Sequence, residues 1–139
     1  MLMDHECFAF GKLLEVKSAA FPPVARDEEL VNDGMHGFAL AQFIAERLPA
    51  YGLQADVENF CAEDWGWCCP VENADFALWY GCNAVDEGEF IIQIEPSQPR
   101  IRKGLMRKVE TTPAVTKLAD AIFAILRDSG KMNEEPRWV

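Results

Sequence analysis

No stretch of this chain approaches the ~18 uninterrupted apolar residues of a membrane span. Its first residues carry Asp4, His5 and Glu6, where a secretory signal has a basic segment followed by a long apolar one. The cytoplasm is therefore the expected compartment, with no membrane association. Bases are also in deficit, 13 against 23 acids, for a formal charge of −10. Such a chain is repelled by nucleic acid and by anionic lipid, so neither is expected as a partner, and a basic protein is the natural complement.

The features of nucleotide and metal enzymes are missing as well. Gly34 and Gly37 follow no strand and lead to no Gly-Lys-Ser/Thr ending, so they make no phosphate loop. Five cysteines, Cys7, Cys61, Cys68, Cys69 and Cys82, contain no Cys-x-x-Cys knuckle. Cys68 and Cys69 point apart on an extended strand, which argues against zinc. Their odd number, in a chain large enough to fold without bridges, reads as reduced thiols. Only His5 and His36 could act as a base for a nucleophilic thiol, and only His5 lies near one, two residues before Cys7. No cofactor and no metal are expected. No repeat or linker divides the chain, so a single domain over residues 1–139 is expected, with 131–139 either a loosely ordered tail or a segment tucked back onto the body through Trp138.

Half the residues are apolar and 26% charged, which suits a packed core and excludes disorder over most of the length. Apolar residues alternate at Phe8, Phe10, Leu14 and Val16, favouring a strand within Cys7–Val16, although Phe10, Leu13 and Leu14 also fit a short helix. Ser18 to Asp33, with Pro22-Pro23 and Asp27-Glu28-Glu29, reads as a connection past the sheet end. A helix is expected from Asp33 or Gly34 to Leu48, capped by Asp33 and stopped by Pro49 and Gly52. The period then changes to two, giving strands over Leu53–Cys61, Gly66–Glu72, Phe76–Cys82 and Glu89–Glu95, with a turn over Asn83–Gly88. Pro96, Pro99 and the basic stretch read as a loop. Thr112 caps a last helix with Val115, Leu118, Ala119, Ile122, Ile125 and Leu126 on one stripe, ended by Gly130. The class is α+β: a two-layer sandwich of four to five mostly antiparallel strands with two helices on one face. The other face, with Ala77, Trp79 and Gly81, is left open.

The densest chemistry lies in Glu63-Asp64-Trp65-Gly66-Trp67-Cys68-Cys69-Pro70-Val71. Two tryptophans around a glycine demand a fixed environment, because each buries a large surface and must satisfy an indole N–H. Strand alternation sends Trp67, Cys69 and Val71 to the core and leaves Glu63, Asp64 and Trp65 in the turn before them. Glu63 and Asp64 could serve as an acid–base pair of a small hydrolase, but adjacent residues of an extended chain face opposite sides. Arg100, Arg102, Lys103, Arg107 and Lys108 gather bases in one stretch and leave 8 bases against 23 acids elsewhere. This run either grips phosphates or an acidic partner, or is a solvated loop that answers the protein's own acids.

Glu63-Asp64-Trp65-Gly66-Trp67, Phe76-Ala77-Leu78-Trp79-Tyr80-Gly81-Cys82 and Ile94-Glu95-Pro96-Ser97, followed by the terminal helix, resemble a family of short bacterial proteins that share an acid-Trp-Gly-Trp element. The likeness covers roughly Glu63 to Leu126 and implies fold and bacterial origin, with no activity to carry over. In style, the chain is also similar to the immunity proteins of bacterial toxin systems. The expected function is thus a non-catalytic protein-binding module of the immunity type, directed at a basic toxin. A homodimer that buries the Trp79 face, with a structural or regulatory role, and a hydrolase using Glu63 or Asp64 are the alternatives. Candidate binding residues are Glu63, Asp64, Trp65, Trp79, Arg100, Arg102, Lys103, Arg107 and Lys108; none is assigned as catalytic.

Overall fold

A computed structural model describes residues 7–30 and 36–139, apart from the side chains of residues 29 and 30. Its elements in chain order are β1 Leu14–Lys17, α1 Ala25–Leu30, α2 Phe38–Arg47, β2 Cys61–Glu63, β3 Gly66–Val71, β4 Leu78–Asp86, β5 Glu89–Glu95, β6 Arg100–Lys103, β7 Arg107–Glu110, α3 Thr112–Arg127 and β8 Arg137–Trp138. The main sheet runs β2-β3-β4-β5-β1-β8, and β6 and β7 form a separate two-stranded sheet. Every strand pairing among the described residues is antiparallel. The class is α+β with a mostly antiparallel sheet, as expected. The sheet is larger than the expected four to five strands, and the described residues form three α-helices where two are expected.

Strand alternation dictates what is buried. In β5, Phe90, Ile92 and Ile94 are buried while Glu89, Ile91, Gln93 and Glu95 are only partly covered. Trp67, Cys69 and Val71 of β3 turn to the same inner layer, as expected. Over that layer lie α2, against β3 and β4, and α3, against β5. The stripe of α3 is fully inward: Val115, Leu118, Ala119, Ile122, Ile125 and Leu126 are all buried. Among the described residues no helix is long and apolar enough to cross a membrane.

Several boundaries depart from expectation. Of Cys7–Val16, only Leu14–Val16 joins a strand. The proline-rich connection contains the short helix α1. The expected start of α2 at Asp33 or Gly34 lies outside the described residues; the described helix begins at Phe38, after Gly37. The alternation over Leu53–Cys61 does not produce a strand. Asp56 accepts a hydrogen bond from Glu58 N at 2.9 Å and turns Val57–Asn59 into a 3-10 helix, leaving only Cys61–Glu63 to pair. β4 starts two residues later than Phe76 and continues to Asp86, so it absorbs most of the expected Asn83–Gly88 turn. The basic stretch is the β6–β7 hairpin rather than a loop, held by Ile101 opposite Val109. Thr111 occupies the cap position expected for Thr112, and its hydroxyl donates to the Gln98 carbonyl. The tail is pinned: Trp138 pairs with Leu14 and is 1% exposed.

Candidate functional site

The tight connection between β2 and β3 consists of Asp64 and Trp65, with Glu63 opposite Gly66. Gly66 has a φ of 149°, and a Cβ there would lie 2.5 Å from the Cys82 carbonyl oxygen and 2.7 Å from Asn83 Cβ. Only glycine lets the chain pass this close to β4. This crossing separates the two tryptophans, Trp67 into the core and Trp65 onto the outer face.

Trp67 is held by a partner absent from its own motif. Its Nε1 donates to Asp27 Oδ1 at 2.7 Å. The same oxygen accepts from Gly37 N and Phe38 N, each at 3.1 Å, and Oδ2 accepts from Val24 N at 2.9 Å. Asp27 is 2% exposed, so one buried carboxyl ties α1, the first turn of α2 and the core tryptophan together. A carboxyl at that place also answers the free N–H groups and the positive end of α2. Phe38 meets the Trp67 ring edge-on at 5.0 Å. Arg26 lies over the Phe38 ring at 4.7 Å.

On the outer face, Trp65 stacks on Trp79 of β4 with ring centres 6.3 Å apart and planes 29° from parallel. Both rings are half-buried. Gly81 supplies the floor beneath them: a Cβ at this position would come within 2.9 Å of Trp65 Cη2 and 2.8 Å of Gln93 Cγ. Strand register places Trp79 opposite Pro70 and Glu95, and Glu63 is exposed beside the turn.

From Trp79 a groove of about 820 Å³ runs along the edge of β3, lined by Phe76, Pro70 and Cys68 and by the acids Glu46, Asp56 and Glu72. No basic side chain lines it. The groove's β-edge is unfit for strand addition, since Pro70 has no N–H and Glu72 N already donates to the Gln54 carbonyl at 2.8 Å. A guest must be held by side chains. Neither Glu63 nor Asp64 lines this groove, nor either of a pair of smaller ones that lie beside Ser18 and His36 and beside Tyr51.

The expected site residues thus fall into two groups. Trp65 and Trp79 come together, with Glu63 and Asp64 at the turn beside them. Arg100, Arg102, Lys103, Arg107 and Lys108 sit apart on β6–β7. There Arg100 Nε bonds Glu110 Oε1 at 2.6 Å, and Lys103 Nζ donates to the Asp75 carbonyl at 2.8 Å. The tip of that hairpin exposes Leu105 and Met106 almost completely. Sequence reading missed Glu46, Asp56 and Glu72, which stand on three different segments and share no motif.

The thiols divide by face. Cys69 and Cys82 are buried in the inner layer. Burial pushes both thiols up from their ordinary value; the neighbouring Cys82 adds to the effect at Cys69, and Asp27 adds to it at Cys82. Tyr80, buried between them and donating to the Ala41 carbonyl at 2.8 Å, is raised for the same reason. Among the described residues no three His, Cys, Asp or Glu side chains converge where they could hold a metal ion. Compared with protein-family models, curated proteins and solved structures, the chain matches none.

Proposed function

We propose that this chain is a non-catalytic, cytoplasmic binding module that takes a basic segment of a protein partner against Trp79 and the acidic groove beside it. The observation that carries this reading is the groove's lining: an aromatic wall, Glu46, Asp56 and Glu72, and no base. Aromatic anchors with opposite charge at the rim are the pattern of tight interfaces, where the ring supplies desolvated area and the acids supply steering. The formal charge of −10 extends the same attraction over longer range and speeds encounter with a cation. The stack on Trp65 holds the Trp79 ring in place, so little side-chain freedom remains to be lost on binding.

The most concrete form of this proposal is an immunity-type inhibitor of a basic toxin. Co-expression with the product of the neighbouring gene tests it. The pair is expected to purify together, and cells are expected to survive the neighbour only when this chain is present. Trp79→Ala is expected to weaken the complex by about 30-fold or more, the scale of an interface anchor. Failure of both co-purification and protection would sink the proposal.

A further inference from the structure

Two of the five thiols stand opposite each other on the outer face. Register pairs Cys61 of β2 with Cys68 of β3, and directly opposed residues of an antiparallel pair project to the same side. Cys61 is exposed and Cys68 half-buried. Glu72 N donates away from β4, to Gln54; because N–H directions alternate along a strand, Cys68 directs its own toward β2. The two cysteines are therefore a hydrogen-bonded pair, with Cα atoms about 5.5 Å apart. That separation falls inside the ~4.4–6.8 Å a disulfide spans.

Other pairings of the cysteines in β2, β3 and β4 fail this test. Cys68 and Cys69 are chain neighbours on opposite faces. Cys69 lies opposite Tyr80, and Cys82 opposite Trp67, so Cys69 and Cys82 are diagonal neighbours, about 7–8 Å apart.

We propose that Cys61 and Cys68 form a dithiol modification site that low-molecular-weight disulfides of the glutathione class oxidise to an intramolecular disulfide. The Cys61 thiolate attacks one sulfur of the small disulfide, forming a mixed disulfide and expelling one thiolate. The Cys68 thiolate then attacks the Cys61 sulfur and expels the second. The two protons lost by the cysteines end on the two small thiols; the cysteine pair loses two electrons and the small disulfide gains them. Cys61 is the entry point because it is exposed, and its Sγ must leave a 3.6 Å contact with the Asn59 carbonyl. Burial, with Cys61 and Glu63 nearby, pushes the Cys68 thiol up to about 11, so closure by Cys68 quickens as pH rises toward that value. The bridge closes the hairpin whose turn is Asp64 and Trp65. Cys68 also lines the acidic groove, but its pairing with Cys61 draws on none of the groove's acids.

The test uses the full chain, reduced and then exposed at low protein concentration to oxidised glutathione. Samples are quenched with acid, alkylated and mapped by mass spectrometry without reduction. A single Cys61–Cys68 link, lighter by two hydrogens, is expected, while Cys69 and Cys82 become alkylated only after denaturation. A Cys61 adduct is expected to precede the link and to decay about tenfold faster for each unit rise in pH below the Cys68 value. In Cys68→Ser the adduct accumulates, and Cys7→Ser leaves the link unchanged. A lasting adduct at Cys61 in the unsubstituted chain would overturn the proposal. So would a link that includes Cys7, or unreacted Cys61 and Cys68 under conditions that oxidise a control dithiol peptide.

Discussion

Replacing Asp27 tests the joint on which the hairpin stands. In Asp27→Ala four donors lose their acceptor: Val24 N, Gly37 N, Phe38 N and Trp67 Nε1. Each buried donor left unpaired costs about 1–3 kcal/mol. The full sum is not reached, because the vacated space has room and partners for a water that recovers part of the loss. We expect about 3–5 kcal/mol, a large share of the ~5–15 kcal/mol that stabilises a domain. Asp27→Asn keeps the size and one acceptor oxygen. With that oxygen toward Gly37, Phe38 and Trp67, its NH2 faces Val24 N, so one donor is left opposite another and the cost falls to about 1–3 kcal/mol. Urea unfolding followed by tryptophan fluorescence and far-ultraviolet circular dichroism gives both values. Trp67→Phe removes one of the four donors, so it is expected to cost less in the Asp27→Ala background than alone, with a coupling of at least about 0.5 kcal/mol. A cost below about 1 kcal/mol for Asp27→Ala would refute the reasoning. An asparagine variant no more stable than the alanine one would also do so.

Two further outcomes follow from the sheet. Gly81→Ala puts a methyl group where the Trp65 ring and Gln93 now lie; it is expected to lift Trp65 off the sheet, raise acrylamide quenching of its emission, and cost about 1–2 kcal/mol. Cys69, Tyr80 and Cys82 hold their protons more tightly in the folded chain than their ordinary values of 9.0, 10.0 and 9.0. The folded state then binds more protons than the unfolded one above about pH 9, so their contribution is complete below that pH and is lost as pH rises. The urea midpoint is expected to fall between pH 8 and pH 10, and less steeply in Cys82→Ala. A midpoint that stays flat over that range would count against the burial of these groups.

What could be read from the sequence was whatever local pattern and packing agree on. β5, β3 and α3 carry an unbroken period, and the inward turn of Trp67, Cys69 and Val71 follows from alternation alone. Elsewhere the pattern misleads. Ala55 and Val57 alternate as a strand would, yet Asp56 bonds the backbone two residues on and curls the segment. β6 and β7 offer one apolar contact, Ile101 with Val109, too little for a period to register. β8 holds only Arg137 and Trp138 and exists because β1 offers it a free edge. Trp65 and Trp79 were legible as candidates, but their meeting depends on the register of three strands. The acids of the groove and the Asp27 joint are long-range juxtapositions, and no local spacing encodes them.

The tryptophan stack also makes the molecule its own optical instrument. Indoles 6.3 Å apart and inclined by 29° have electronic transitions that couple, and an inclined coupled pair yields a two-signed exciton band in circular dichroism. That band belongs to neither ring alone, so Trp65→Phe and Trp79→Phe abolish it equally, while Trp67→Phe leaves it in place. Its amplitude varies with the angle and separation of the rings, which makes it a label-free gauge of where the turn sits over the sheet.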